Sequence, residues 1–468
     1  MRYVSTRGEA PALGFRDVVL TGLARDGGLY VPETWPRLAP DEIAALAGLP
    51  YAEVAARIIG RFTGDELAPG TLRAILDDAY GTFRHPAVTP LVQIAPNHFV
   101  LELFHGPTLA FKDVAMQVLA RLMDHFLAER GRRATIVGAT SGDTGGAAIE
   151  AFRGRERIDI AILFPDGRVS PVQRRQMTTV VEDNVQAIAI RGTFDDAQAL
   201  VKAMFNDFAF RDRVGLAAVN SINWGRIVAQ AVYYFYAAVA LGAPYRPVSF
   251  TVPTGNFGNV FAGYVAHRMG LPIGKLVVAT NVNDILDRTI RTGRYEVRGV
   301  TPSSSPSMDI QVSSNFERLL FEAEAREASG VRRLMSGLSQ SGAFTMAENA
   351  RQAIRPLFVS GSCGEDETAA TIRRTLRETG MLVDPHTAVG IAVAEHNMDA
   401  QTPMVTLSTA HPAKFPEAVE AAAGVHPDLP EWARPILTRR ERYDVLPNEL
   451  SEIERRVERH SRAARITA

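Results

Sequence analysis

Lysine is nearly absent from this chain of 468 residues: its 51 basic residues include only four lysines, at 112, 202, 275 and 414. Cysteine is scarcer still, with Cys363 alone. A single cysteine excludes an internal disulfide and a cysteine zinc site, and it suits a reducing cytoplasm, where it reads as a small buried thiol. A net charge of −1 gives no electrostatic case for nucleic acid or an anionic membrane, because such partners call for a basic patch. Long apolar runs are missing too. The longest, residues 227–242, contains Gln230 and falls short of the roughly 20 residues a membrane span needs, so it reads as a helix buried on a sheet. Residues 1–20 mix charges with apolar residues and lack the uninterrupted apolar core of a secretory signal, so the protein is expected to stay where it is made. No repeat of fixed period is found, which argues against a solenoid or propeller. The histidines form no metal-ligand pattern such as H-E-x-x-H.

Where arginine fills almost every generic cationic role, a surviving lysine marks a place that needs a primary amine. Lys112 sits in the run Leu103-Phe104-His105-Gly106-Pro107-Thr108-Leu109-Ala110-Phe111-Lys112-Asp113. A lysine amine can form a Schiff base with a carbonyl and so anchor pyridoxal phosphate, whose ring serves as an electron sink. The residues after it, with Val114, Val118, Leu119, Leu122, Met123, Phe126 and Leu127 on one face, predict a helix starting there. The positive end of that helix disfavours the ammonium form and favours the reactive amine. On context alone, an ordinary lysine at a helix start accounts for Lys112 equally well. Lys202 and Lys275 suit plain surface roles, and Lys414 is the one serious rival.

Two glycine-rich turns supply the rest of such a site. Strand residues 135–138 run into Ala139-Thr140-Ser141-Gly142-Asp143-Thr144-Gly145-Gly146, with a helix expected from Ala147; residues 248–253 run into Thr254-Gly255-Asn256-Phe257-Gly258-Asn259 and an apolar helix. Each is a strand, a turn and a helix N-terminus, where unpaired N–H groups and the helix dipole favour an anion. Neither turn completes G-x-G-x-x-G or G-x-x-x-x-G-K-[ST], so nucleotide readings are weak.

Strand candidates at 99–104, 134–138, 158–164, 185–190, 250–252, 276–279 and 404–407 mostly alternate with helices. That alternation predicts an α/β fold of open, mostly parallel sheets with helices on both faces and ligands at the carboxyl ends of the strands. Ahead of them, residues 44–59 and 72–80 are spaced for amphipathic helices. The expected division is a mainly helical N-terminal domain, 1–85, a catalytic region of two α/β subdomains, 86–430, and a helical tail, 431–468. Residues 299–315, rich in serine, read as a loop, within which 303–308 is a candidate active-site segment.

These runs, with Met1-Arg2-Tyr3-Val4-Ser5-Thr6-Arg7-Gly8 at the start, Asp26-Gly27-Gly28-Leu29-Tyr30-Val31-Pro32 after it and Leu407-Ser408-Thr409-Ala410-His411-Pro412-Ala413-Lys414-Phe415 near the end, resemble the threonine synthases, pyridoxal-phosphate enzymes of the tryptophan-synthase β-like (type II) fold. The resemblance covers nearly the whole chain. It implies that the cofactor lies between the two α/β subdomains on Lys112, that Gly255, Asn256, Phe257, Gly258 and Asn259 hold its phosphate, and that the Thr409 hydroxyl faces its pyridine nitrogen, with Ser408 as the fallback. It also implies that Thr140, Ser141 and Thr144 bind the substrate carboxylate.

The substrate's own phosphate needs arginine with hydroxyl or amide donors. Arg226 with Asn220, Ser221 and Asn223 is preferred over Arg168 with Ser170. The implied reaction converts O-phospho-L-homoserine and water into L-threonine and phosphate, the last step of threonine biosynthesis. A hydroxyamino-acid dehydratase, a phospho-lyase acting on the same substrate and a catalytically silent binding protein stay open as alternatives. A small-molecule substrate, a cytoplasmic location and a monomer or homodimer complete the expectation.

Overall fold

In a computed structural model, residues 1–466 are described; positions 467 and 468 of the expected tail lie outside them. Two sheets organise the chain. The six-stranded sheet runs in the order Phe358–Ser362, Ile273–Thr280, Val248–Pro253, Met404–Ser408, His98–Glu102 and Leu91–Ala95, parallel throughout except for the last strand. The five-stranded sheet runs Asp444–Pro447, Val185–Arg191, Ile158–Pro165, Ala134–Ala139 and Leu216–Ala217, all parallel. Every residue of Ile158–Pro165 and of Val248–Pro253 is buried, as expected of parallel strands covered by helices on both faces.

The long apolar run lies in the helix Trp224–Ala240, which is buried nearly all round and packs against the helices Lys112–Glu129 and Gly258–Arg268. A helix enclosed on every side has no polar stripe. No helix among the described residues is long and apolar enough to cross a membrane. The N-terminal segment pairs Tyr3–Ser5 with Tyr30–Pro32 and adds the helices Tyr51–Thr63 and Pro69–Tyr80. Tyr3 and Phe62 each bring a ring to 5.7 Å from that of Trp224, so this segment shares its core with the central helix.

Several local expectations are corrected. The helix expected over 44–59 is broken: Pro40–Ala44 ends before Gly48-Leu49-Pro50, and Tyr51–Thr63 starts afresh, since proline tolerates only the first turn of a helix. The helix expected from Ala147 begins at Asp143, so Thr144 lies in its first turn. The tail is not wholly helical, for Asp444–Pro447 adds an edge strand beside Val185–Arg191 before the helix Leu450–His460. Pro447 is compatible with a strand only because this is an edge.

Candidate active site

Carboxyl ends of strands feed each part of the site. The strand His98–Glu102 leads into residues 103–111, which are laced to the segment after Met404–Ser408: Leu103 N–H donates to Ser408 O (3.0 Å), Phe111 N–H to Thr409 O (2.8 Å) and His411 N–H to Leu109 O (3.0 Å). That lacing sets Thr409 beside the turn that delivers Lys112 as the first residue of its helix, Lys112–Glu129. Lys112 is buried, and burial lowers its pKa, against the nearby Asp143 carboxylate, which raises it. Its ammonium lies 3.4 Å from Asp143 Oδ2. Thr409 is buried and its hydroxyl makes no hydrogen bond among the described residues. The Ser408 hydroxyl is already engaged with Thr387 Oγ1 at 3.0 Å.

The turn at 254–259 has its carbonyls tied back. Ser313 Oγ donates to Gly255 O (2.7 Å), while the Asn315 N–H and side-chain amide donate to Asn256 O (3.1 and 2.9 Å). Among the described residues none of the backbone amides of 255–259 donates a hydrogen bond. Phe257 adopts a left-handed φ of 61°, held by its ring against Phe316 and Phe358; such strain persists only where the surroundings impose it. Asn259 accepts from the hydroxyls of Tyr233 and Tyr234 through Oδ1, which leaves its buried Nδ2 without a partner. A Cβ at Gly255 would lie 2.5 Å from Ser307 O, so Ser307 and Met308 pack against this turn. Ser307 N–H donates to His386 Nε2 (3.2 Å), whose Nδ1 is 2.8 Å from Asp384 Oδ1.

At the other turn the buried Thr140 hydroxyl oxygen accepts from Gly142 N–H and Gly145 N–H, both at 2.9 Å. Gly142, at φ 147°, leaves no room for a Cβ against Gln173. The backbone amides of Ser141, Asp143 and Thr144 and the hydroxyls of Ser141 and Thr144 make no hydrogen bonds among the described residues. They form a second open set of donors at a helix N-terminus.

Arg226 lies in the first turn of Trp224–Ala240, buried, with Nη1 on Val219 O at 3.3 Å and Nε without a partner. No carboxylate pairs with it among the described residues, and burial lowers its pKa to about 10. It is near enough to depress Lys112. Ser221 O and Asn256 O share the Asn315 side-chain amide, which brings the 220–226 segment against the 254–259 turn. Asn223, expected to act with Arg226, instead caps the helix at Gly225 N–H and reaches Val19 O. The Asn220 side chain is exposed, and neither it nor the Ser221 hydroxyl is engaged.

The sequence alone gives no functional signal for Asp143 or His386, and it marks Lys414 only as a rival to Lys112. Lys414 is fully buried, 2.9 Å from Asp143 Oδ1, and also donates to Thr108 O and Gln176 Oε1, each at 2.8 Å. All three of its protons are used, which removes it as a rival anchor. Lys112 and Lys414 thus gather around Asp143, with Arg226 near Lys112 and Asp113 pushed up to about 6 by burial although Thr108 donates to it twice. Such a surplus of buried positive charge calls for an anion.

Beside this centre, on the segments carrying Leu109, His411 and Pro412, lies a cavity of about 620 Å³ also lined by Arg84, His105 and Trp432. Lys112, Asp143 and Arg226 do not line it. His105, from the run that leads to Lys112, pairs there with Glu102 at 2.7 Å. No group of histidine, cysteine, aspartate and glutamate among the described residues could hold a metal.

Residues that fit pyridoxal phosphate are therefore present together: a buried amine, a run of free amides at a helix N-terminus, an unengaged hydroxyl and an orphaned guanidinium. Known proteins agree. Residues 2–80 match the threonine synthase N terminus, residues 83–409 the pyridoxal-phosphate dependent enzymes and residues 387–457 the threonine synthase C-terminal family. The chain is 54% identical over 462 residues to the threonine synthase of Pseudomonas aeruginosa, covering 98% of both. It is 62% identical to the chain in the X-ray crystal structure of PLP-bound threonine synthase from Brucella melitensis, with a TM-score of 0.97 over 99% of this chain and 100% of that one. The yeast threonine synthase structure matches at 37% identity and a TM-score of 0.93 over 98% of each. With its three segments matched in order and its backbone shared from end to end, the chain belongs to the threonine synthase family.

Proposed function

We propose that the site converts O-phospho-L-homoserine and water into L-threonine and phosphate. Lys112 would anchor pyridoxal phosphate, the amides of Gly255, Asn256, Phe257, Gly258 and Asn259 its phosphate, and the Thr409 hydroxyl its ring nitrogen. Bound there, the cofactor supplies an electron sink for carbanions next to the substrate amine. The rest is work for the chain's own groups. Amides and hydroxyls at Ser141 and Thr144 hold the substrate carboxylate, with Thr140 shaping their turn. The Lys112 amine, whose neutral form burial favours, removes the α-proton and then shuttles a β-proton at Nζ. Arg226, with Asn220 and Ser221, grips the phosphate that leaves Cγ and orients the water that adds at Cβ.

The observation carrying this reading is the buried Arg226 guanidinium, without a carboxylate partner among the described residues, close enough to Lys112 to depress it and on a segment packed against the 254–259 turn, as a phosphate-bearing substrate would require. We place the enzyme in the cytoplasm, as a monomer or homodimer, which its lone buried cysteine suits.

Phosphate release and product identity from O-phospho-L-homoserine test the reading. Threonine and phosphate in equal amounts, abolished in Lys112→Ala, are expected. Phosphate accompanied by a keto acid would make the enzyme a phospho-lyase, and no phosphate from a yellow protein would mean a different substrate.

A further inference from the structure

Lys112 and Lys414, 302 positions apart in the sequence, share one carboxylate. Asp143 places Oδ2 3.4 Å from Lys112 Nζ and Oδ1 2.9 Å from Lys414 Nζ, and Gln173 Nε2 donates to Oδ1 at 2.9 Å. The two oxygens are thus divided, one fastened by Lys414 and Gln173 and the other left to Lys112. All of these groups are buried. Lys112 changes its bonding and charge during the proposed chemistry, whereas Lys414, with every proton engaged, does not.

We propose that Asp143 is the counter-ion that sets the protonation of the Lys112 nitrogen, and that Lys414 is a positioning residue that fastens Oδ1 of Asp143 and tempers the negative charge that Lys112 meets. The proposal rests on the reading of Lys112 as the cofactor lysine. Asp143 favours a proton on the Lys112 nitrogen and the Lys414 ammonium opposes it, so the two residues pull that protonation in opposite directions. Burial does oppose the charge on Asp143, but the two ammonium groups overcome it and hold its pKa well below the usual range. The groups felt by Lys112 are Asp143 from Asp143–Phe152, Lys414 from Pro412–Lys414 and Arg226 from Trp224–Ala240. Asp113, on Lys112's own helix, faces Thr108 and itself feels Lys414 and Asp143. The helix Pro171–Thr178 contributes only the neutral Gln173 and Gln176 here.

Visible absorbance of the purified holoenzyme against pH reads the protonation of the Lys112-linked chromophore. Asp143→Asn removes the anion and is expected to lower the apparent pKa by about one unit; Lys414→Met removes a cation while Asp143 stays, and is expected to raise it by about as much. Opposite shifts are the signature, because general damage to packing would not move the two variants apart. Lys414→Arg should titrate close to the native protein, and Lys414→Gln takes the place of Lys414→Met if that variant does not fold. Titrations that do not move, or move in the same direction, would overturn the proposal. Lys112→Ala separates it from the reading beneath it. If borohydride still fixes cofactor in that variant, the assignment of Lys112 falls; if fixation is lost while the Asp143 and Lys414 variants titrate like the native protein, only the counter-ion role falls.

Discussion

At the scale of single residues, the scarcity of lysine pointed to Lys112, and the structure finds it buried beside Asp143. Lys414 had the same scarcity and a different use, because only its neighbours show that its protons are spent on Asp143, Thr108 and Gln176. Asp143 stands inside the first glycine-rich turn without a visible purpose in the sequence, since an acid in a turn built to attract anions makes sense only once two lysines are seen against it. Arg226→Ala should lower kcat/KM for the phosphorylated substrate by roughly 100-fold, about 3 kcal/mol for a charge-assisted contact, while Lys275→Ala leaves it near native; equal losses in steady-state assays would take Arg226 out of the site. Gly255→Ala forces a methyl group toward Ser307 O, with a strain of about 1–3 kcal/mol. Cofactor titration should show roughly tenfold weaker binding in a protein whose circular dichroism is unchanged.

Among elements, buried parallel strands were the most legible, because an unbroken β-branched run fits little besides a strand covered on both faces. The strands that escaped notice are those that lack it. Leu91–Ala95 follows Pro90 and is only partly buried, three of the five residues of Phe358–Ser362 are serine or glycine, and Asp444–Pro447 sits in a charged tail. One pair of neighbouring strands carries a pH dependence. His98 Nε2 lies 2.8 Å from Thr406 Oγ1, tying His98–Glu102 to Met404–Ser408, and burial lowers its pKa to about 4. The unfolded chain takes up the proton near pH 6.5 and the folded chain does not, so stability is lost as pH falls from about 6.5 to 4, by up to about 3 kcal/mol from this residue. Thermal unfolding of His98→Asn across that range should slope less steeply than that of the native protein; parallel slopes would show that His98 is not responsible.

For the whole molecule, the fold class and the order of its parts followed from the alternation of strand and helix together with the resemblance, but how the parts hold one another did not. Arg318 shows why: it is fully buried, with Nε on Tyr30 O (3.0 Å), Nη2 on Ile222 O (2.7 Å) and Nη1 on the Asn315 side chain. No periodicity reveals an arginine bonded to carbonyls some 290 and 100 positions away. Because Asn315 ties this junction to the 254–259 turn, a ligand held at that turn should stabilise the whole chain by mass action, about 2.7 kcal/mol at 100 times the dissociation constant. Inorganic phosphate alone should raise the melting temperature of cofactor-free protein, and less so in Arg226→Ala. An absence of any phosphate effect would mean the turns are not preformed.

The Arg318 junction also has a meaning during synthesis. Tyr30 leaves the ribosome early and Arg318 only after two-thirds of the chain has been made, so the N-terminal segment waits for its partner through most of translation. A nascent or prematurely ended chain lacks the clasp that joins Tyr30 to the 220–226 segment and, through Asn315, to the 254–259 turn. Half-made enzyme is therefore expected to leave the cell's free cofactor alone.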